Sequence, residues 1–348
     1  MSDLTPRRPL GLLAMNPQVA EGVLPADLRT RIETLLHIDP TAVIDDFRDP
    51  QAAAALARAE VLVSCWGCPP LDEETLAGAP RLRVVIHAAG SVKGLAIPED
   101  RWGRSLRVSS AAAANALPVA QYTLGAILLA GKRSFGLAAN YRTHGTYGFR
   151  AYPTSSDTGN TGRTVGVVGA SRIGRIVLEL LRPHGFRLLV ADPHLDAAEA
   201  ASLGAELTGI DDLLRRSDIV TLHAPLLPET QGLIDDRRLG LMRDGAILIN
   251  TARGGLVDTD ALVRHCAGRV PGRTGRIDAV LDVTEPEPLP TDHELFSLPN
   301  VLVTPHIAGA LGRELRLLGE FAADEVERFV QGRPLLGEVT VADLPSIA

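Results

Sequence analysis

The stretch Val165-Gly166-Val167-Val168-Gly169-Ala170-Ser171-Arg172-Ile173-Gly174-Arg175 joins an apolar, β-branched run to a helical pattern. A strand–turn–helix of this kind can bind an anion. The helix start offers free N–H groups, here those of Arg172 and Ile173, together with the positive end of its dipole, and a pyrophosphate suits both. Gly169 permits the tight turn, and Gly174 permits close packing of helix on strand. The G-x-G-x-x-G spacing is incomplete, because Ser171 stands at the middle glycine. Serine fits there if its φ is negative, and its hydroxyl can then donate to a phosphate. Asp192 ends the next apolar run, about 20 residues on, where a carboxylate meets a ribose 2′-OH and repels a 2′-phosphate. NAD is therefore the expected cofactor and NADP the less favoured one, with Arg172 the charge that pulls the other way.

Two other chemistries are weaker. Gly169-Ala170-Ser171-Arg172-Ile173 lacks the second glycine of a G-x-S-x-G nucleophile elbow, so no hydrolase is expected. Cys65-Trp66-Gly67-Cys68 is a CxxC, but a redox pair needs its first thiol at a helix N-terminus. Here Pro69-Pro70 follows, and the next helix begins near Leu71 or Asp72. No second CxxC completes a zinc site. His37, His144, His184 and His265 show no ligand spacing, so no metal is expected.

Three more motifs follow in order: Asn250-Thr251-Ala252-Arg253-Gly254-Gly255 with Val257-Asp258, then Leu281-Asp282-Val283-Thr284-Glu285-Pro286-Glu287-Pro288, then Thr304-Pro305-His306-Ile307-Ala308-Gly309. With the dinucleotide turn they closely resemble the D-isomer-specific 2-hydroxyacid dehydrogenases. The resemblance runs over most of the chain and is strongest from Thr164 to Gly309. It implies an NAD-dependent interconversion of a D-2-hydroxy acid and its 2-keto acid. By it, Arg253 grips the substrate carboxylate with a two-donor fork. His306 takes or returns the hydroxyl proton, and Glu287 orients the imidazole. Glu285 is the rival for that last role; the family's Glu directly precedes Pro after Asp-Val and three more residues. Formate dehydrogenases resemble this chain but carry Gln there, so Glu287 favours a hydroxy acid.

The resemblance also assigns a cofactor wall. His223-Ala224-Pro225 with Thr230 matches the family's cofactor-side segment, Thr251 and Ala252 lie beside it, and Asp282 would hold the nicotinamide amide. His306 and Gly309 complete that set. The substrate carboxylate is further expected on backbone N–H groups of Ala89, Gly90 and Ser91, within His87-Ala88-Ala89-Gly90-Ser91-Val92-Lys93. The family's version is richer in glycine, so this stretch leaves the substrate's identity open. Lys93 is either a second anion contact or a surface lysine. Trp66 either shapes a pocket or lies in a core. The main alternative function is a non-catalytic, NAD-sensing protein like the corepressors similar to this family.

These residues need a scaffold, and strand-like and helix-like runs alternate along the chain. Strands are expected at Pro9–Met15, Glu60–Ser64, Leu82–His87, Thr164–Val168, Arg187–Ala191, Ile219–His223, Ala246–Asn250, Ala279–Val283 and Val301–Thr304. Helices are expected at Ala26–Leu36, Asp72–Ala77, Pro118–Arg133 with Pro118 in the first turn, Ile173–Arg182 and Arg313–Val330. Tyr141–Asn160 reads as a loop. The fold class is α/β, with two doubly wound parallel-sheet domains: a flavodoxin-like substrate domain and a Rossmann NAD-binding domain. The substrate domain is expected over 1–110 plus 310–348 and the NAD domain over 111–309, crossing at Ser109–Ala114.

Composition sets the remaining bounds. The 348 residues carry a net charge of −7 and only 4% aromatic residues. Neither suits a nucleic-acid partner. No apolar run reaches the length of a membrane span, the best being Leu124–Ala130. Arg7 and Arg8 before an apolar run could begin a signal peptide, but a first strand fits better, so a cytoplasmic protein is expected. The small, apolar helix 117–132 is the expected interface of a homodimer. Arg269–Arg276 is longer than the family's usual connection, and Asp278 replaces a small residue.

Overall fold

The computed structural model describes residues 7–344 apart from 40, 104, 146–157 and 273–274. The chain forms two compact units, one comprising the residues up to Asn115 and those from Ala310 onward, the other Ala116–Gly309.

Strands β1 (Gly11–Ala14), β2 (Val43–Ile44), β3 (Val61–Ser64), β4 (Val84–His87) and β5 (Arg107–Ser110) lie in the first unit. Strands β6 (Thr164–Val168), β7 (Arg187–Ala191), β8 (Glu206–Leu207), β9 (Ile219–Leu222), β10 (Ile247–Asn250), β11 (Asp278–Leu281) and β12 (Val301–Val303) form the second, and β13 (Glu338–Val339) returns to the first. The helices, in chain order, are α1 (Pro17–Val23), α2 (Ala26–Leu35), α3 (Pro50–Leu56), α4 (Glu73–Ala77), α5 (Ala112–Gly131), α6 (Ser134–His144), α7 (Arg172–Leu181), α8 (Ala197–Ser202), α9 (Ile210–Arg216), α10 (Asp236–Leu241), α11 (Thr259–Cys266) and α12 (Leu315–Val330).

The first sheet runs β13-β5-β4-β3-β1-β2, parallel except for β13. The β2-β1-β3-β4-β5 order is that of a flavodoxin-like doubly wound sheet, which switches direction between β1 and β3. Its central strands β3 and β4 are fully buried. α12 packs across α1 and α2 on one face, and does so at Gly319, where a Cβ would come within 1.7 Å of the Val23 carbonyl oxygen. Glu325 on α12 is fully buried. Its carboxylate accepts from Ser109 Oγ, Leu336 N at 2.9 Å and Gly337 N at 3.1 Å, which holds the antiparallel β13 against β5.

The second sheet runs β12-β11-β10-β9-β6-β7-β8, all parallel. Its switch point lies between β6 and β9, where open α/β sheets bind ligands at the carboxyl ends of the strands. Alternate residues along each strand feed two layers. Val168, Leu222 and Leu248 face one apolar cluster with Leu213 and Leu262. Val167, Ile219 and Ile249 face another with Val177, Leu178 and Ile127. α7 buries Val177, Leu178 and Leu181 in that second layer. Each such side chain contributes about 1.5–3 kcal/mol by burial.

Several expectations change. The alanines after Ser109 are not a separate linker: Ser109 and Ser110 end β5, Ala112 opens α5, and the boundary between the two units falls at Asn115/Ala116 within that helix. Pro118 therefore lies inside that helix rather than in its first turn. α5 has 20 residues and, by length and composition, is apolar enough for a membrane span, which the sequence reading had denied to every segment. Nine of those residues, Ile127 among them, are buried in protein, so its apolarity has a packing cause. α1 and α3 were not expected, although Asn16 and Asp49 cap them and Pro17 and Pro50 occupy their first turns. Tyr141–His144 closes α6 rather than opening a loop, and most of the expected loop, 146–157, lies outside the described residues. So do positions 273–274 of the long connection before β11.

Candidate active site

β10, β11 and β12 end side by side, and the three motifs leave from those ends. Asn250, the last residue of β10, braces the loop it starts: its Nδ2 donates to Arg253 O at 2.8 Å and its Oδ1 accepts from Ala252 N at 3.1 Å. Thr251 Oγ1 meets Thr123 Oγ1 of α5 at 3.0 Å. Gly254 must be glycine, since a Cβ would lie 1.9 Å from the Thr284 carbonyl oxygen. That close approach brings the Arg253 turn against the acidic, proline-rich loop. Arg253 is largely buried, its Nη1 donates to Ala252 O at 2.6 Å, and desolvation holds its pKa below the usual value, opposed by the nearby charge of Glu287.

Glu287 Oε1 lies 2.6 Å from His306 Nδ1. Glu285 does not take this role; its backbone carbonyl accepts from Thr259 Oγ1 at 2.7 Å. His306 has φ +54°, a left-handed conformation uncommon outside glycine. Asp282 sustains it. The Asp282 carboxylate, 1% exposed, accepts from Thr304 Oγ1 at 2.7 Å, Ile307 N at 2.8 Å and Ala308 N at 2.8 Å. Its carbonyl accepts from His306 N at 2.9 Å. Three of about four lone-pair positions on that carboxylate are thus occupied by the His306 loop. Tyr122 Oη, 2.7 Å from Thr304 Oγ1, extends the network to α5. The sequence carries no signal for the bracing by Tyr122 and Thr123, because each acts on a distant segment; Asn250, in the same motif as Arg253, braces its own turn.

The turn after β6 fits a dinucleotide. Gly169 has φ +95°, and a Cβ there would sit 2.5 Å from Ala224 N. A Cβ on Gly174 would sit 2.1 Å from the Gly169 carbonyl oxygen. Ser171 has φ −60° and caps α7, its Oγ 3.4 Å from Gly174 N, so serine is accommodated and its hydroxyl proton stays available. The first-turn N–H groups of Arg172 and Ile173 meet no acceptor among the described residues, as at any open helix start. Asp192 follows β7, its Oδ2 accepting from Ala170 N at 2.6 Å and its Oδ1 from His194 N at 2.8 Å. His223 follows β9 under Gly174. Its Nε2 meets Thr221 Oγ1 at 2.9 Å, its buried Nδ1 has no partner, and burial pushes its pKa down to about 3. Thr230 Oγ1 bridges Pro225 O at 2.6 Å and Leu227 N at 2.7 Å, shaping the segment after Ala224. A glycine cradle closed by backbone and an open helix start are what a bound dinucleotide phosphate requires.

Residues 125–308 match the family model described as D-isomer specific 2-hydroxyacid dehydrogenase, NAD binding domain. A glyoxylate reductase of Aeropyrum pernix is 35% identical over 309 residues, covering 87% of this chain and 90% of the relative. The chain belongs to the D-isomer-specific 2-hydroxyacid dehydrogenase family. A D-3-phosphoglycerate dehydrogenase of Mycobacterium tuberculosis is 35% identical over 293 residues, 80% of this chain but 51% of that protein. The chain thus spans about half the length of the phosphoglycerate dehydrogenases it matches. Among solved structures, the TT0316 protein from Thermus thermophilus superposes with a TM-score of 0.75 at 30% identity, covering 95% of this chain and all of that one. The D-lactate dehydrogenase of Aquifex aeolicus, solved with NAD and lactic acid, gives 0.70 at 27% identity, covering 92% and 96%.

In this family member the first unit's loop after β4 holds Ala89, fully buried, with Gly90 and Ser91 partly so. Trp66, after β3, is 40% exposed and so is no core tryptophan. Lys93 lies in a short 3-10 turn on the surface. Cys65 is not at a helix start, since α4 begins at Glu73 behind the cap Asp72. Burial pushes the Cys65 and Cys68 thiols up to about 12, the reverse of a redox-active pair. No group of potential metal ligands occurs among the described residues. Asp278 pairs with Arg133 at 2.5 Å, and Arg133 also donates to Gly245 O at 2.6 Å. The aspartate that the sequence left without a role therefore anchors the end of α5.

Proposed function

We propose that this protein is an NAD(H)-dependent oxidoreductase that interconverts a D-2-hydroxy acid and its 2-keto acid. The observation that carries the reading is the Glu287–His306 pair, 2.6 Å apart, next to the turn that bears Arg253. NAD, when bound at the Gly169–Gly174 turn with Asp192, His223, Ala224, Pro225 and Thr230, supplies the hydride chemistry. The rest falls to the chain. Arg253 presents a fork of N–H donors to the carboxylate, and its pKa, though lowered, leaves it a cation at any working pH. His306 Nε2 takes the hydroxyl proton in oxidation and returns it in reduction. Glu287, on Nδ1, keeps that proton site on Nε2, because a hydrogen bond at one ring nitrogen selects the tautomer at the other.

In this reading the first unit is the substrate domain and the second the cofactor domain. The N–H groups of Ala89, Gly90 and Ser91 serve a carboxylate, which has no hydrogen of its own to offer and needs donors. Asp192 favours NAD over NADP by repelling a 2′-phosphate. A homodimer fits the exposed Leu117 and Leu129 on α5 and Leu137 and Tyr141 on α6, apolar side chains that a second copy would cover. A cytoplasmic location belongs to the same reading. The test is NADH with a panel of 2-keto acids: glyoxylate, hydroxypyruvate, pyruvate, phenylpyruvate and longer branched acids. Loss of NADH absorbance with one of them is expected; no oxidation with any, while NADH still binds by fluorescence, would remove the enzymatic reading.

A further inference from the structure

The carbonyl groups of Ala88, Ala89 and Gly90, in the loop after β4, are engaged by side chains. Cys65 Sγ donates to Ala88 O at 2.9 Å. Ser110 Oγ lies 3.2 Å from Ala89 O and 2.6 Å from Gly90 O. That hydroxyl also accepts from Ala112 N at 3.1 Å, so a lone pair is used at the start of α5 and its single proton is left for the loop. The His87 Nδ1 is 3.0 Å from Ser64 Oγ. Cys65, His87 and Ser110 are all buried.

The amide side of the same loop is different. Ala88 N donates to Ser64 O at 2.7 Å, but the N–H groups of Ala89, Gly90 and Ser91 meet no acceptor among the described residues. Ala89 is 0% exposed. Buried N–H groups without partners are rare, and a run of them makes an anion-binding concavity. Asn115 adds to it: its Oδ1 accepts from Ala310 N at 2.8 Å, and its Nδ2 lies 3.4 Å from where a Gly90 Cβ would be.

We propose that Cys65 and Ser110 are positioning residues that hold the carbonyls of Ala88, Ala89 and Gly90 and so leave the loop's N–H groups free for the substrate carboxylate. This rests on the proposed carboxylate role of that loop. It gives the CxxC motif a use in which Cys65 works as a buried, protonated donor, in keeping with a thiol pushed up to about 12.

The experiment compares Ser110→Ala, Cys65→Ala and Cys65→Ser with the parent protein. Two readouts are used: steady-state reduction of the best 2-keto acid, and hydrogen exchange of the peptide spanning Ala88–Val92. Loss of one donor should raise KM about threefold to tenfold, the equivalent of one hydrogen bond, with kcat within about twofold. NADH affinity should not move. Exchange of the loop amides should speed up in both alanine variants and return towards the parent in Cys65→Ser, which keeps a donor. Unchanged KM and unchanged exchange in Ser110→Ala would overturn the proposal, as would kcat and NADH affinity falling with KM, the pattern of general damage. If the parent protein reduces no 2-keto acid, the functional reading fails by itself, and the exchange readout still decides the tether. Should one alanine variant not fold, the other decides it by the same exchange measurement.

Discussion

Glu287 reaches across 19 residues of sequence to place its Oε1 2.6 Å from His306 Nδ1, and it does so on a backbone that holds His306 at φ +54°. Two carriers of the pair, the proline-rich loop and the loop tied to Asp282, are each braced independently. The contact is therefore built in before any substrate arrives. His306→Ala should abolish turnover and leave NADH binding within about twofold. Glu287→Gln keeps a hydrogen bond but loses the charge, and should lower kcat about 100-fold, within the range general acid–base catalysis supplies. Steady-state kinetics with fluorescence titration of NADH checks both; full activity in Glu287→Gln would remove the orienting role.

Arg253 is largely buried and donates one bond to its neighbour's carbonyl, leaving the other guanidinium N–H groups for a ligand. Lysine offers one point charge in place of a fork. Arg253→Lys should therefore raise KM for the 2-keto acid about 10- to 100-fold, the loss of one charge-assisted hydrogen bond. Arg253→Ala should lose more in kcat/KM. A KM unchanged in Arg253→Lys would place the carboxylate elsewhere.

How much of this was legible beforehand varied by the range of the interaction. The buried parallel strands stood out as short apolar runs between glycines and prolines, and Arg253, Glu287 and His306 were carried by local motifs. β2 and β13, two residues each, have no room for a periodicity. Glu325 reads as a solvent-facing carboxylate on an amphipathic helix, yet it is fully buried because β13 folds back over it. Asp278 finds Arg133 at a separation of 145 residues. Cys65 looked like half of a redox motif, and only its contact with Ala88 shows a thiol used as a donor. Local spacing reveals which residues could react; it does not reveal which distant side chains hold them.

The dinucleotide turn separates the two glycines from the serine between them. Gly169→Ala forces a side chain into a left-handed position 2.5 Å from Ala224 N. It should destabilise the fold by about 1–3 kcal/mol and weaken NADH binding together. Ser171→Gly is compatible with its φ of −60° and should change stability by only a few tenths of a kcal/mol, whereas Ser171→Ala loses the cap and about 1 kcal/mol. Denaturant unfolding of the three variants gives the ranking; an equal loss in Ser171→Gly would mean the hydroxyl does more than cap.

Asp192 holds the turn through Ala170 N and carries the charge expected to reject a 2′-phosphate. Asp192→Asn keeps an oxygen for Ala170 N and removes the charge. NADPH affinity relative to NADH should then rise about tenfold, the equivalent of 1.4 kcal/mol. Titration of both cofactors by fluorescence measures the ratio, and an unchanged ratio would assign the discrimination to another residue, Arg172 first.

Two of the three buried histidines, His87 and His223, shape the acid side of the stability profile. Burial lowers His87 from its usual 6.5 to about 4 and His223 to about 3. Between pH 6.5 and those values the unfolded chain binds a proton at each position and the folded chain does not. Unfolding free energy therefore rises with pH in that window and falls on acidification, by about 1.4 kcal/mol per pH unit for each histidine once well below 6.5. The lowered carboxylates, such as Asp211 at about 2, act at lower pH and leave the upper part of the window to the histidines. The protein should lose stability steeply from pH 6.5 to pH 5, and His223→Asn should reduce that slope by one proton's worth. Urea unfolding at half-unit pH steps measures it. A profile flat from pH 7 to pH 5 would mean that both imidazoles are protonated in the folded protein, and the unpartnered Nδ1 of His223 would then need an acceptor that the described residues do not provide.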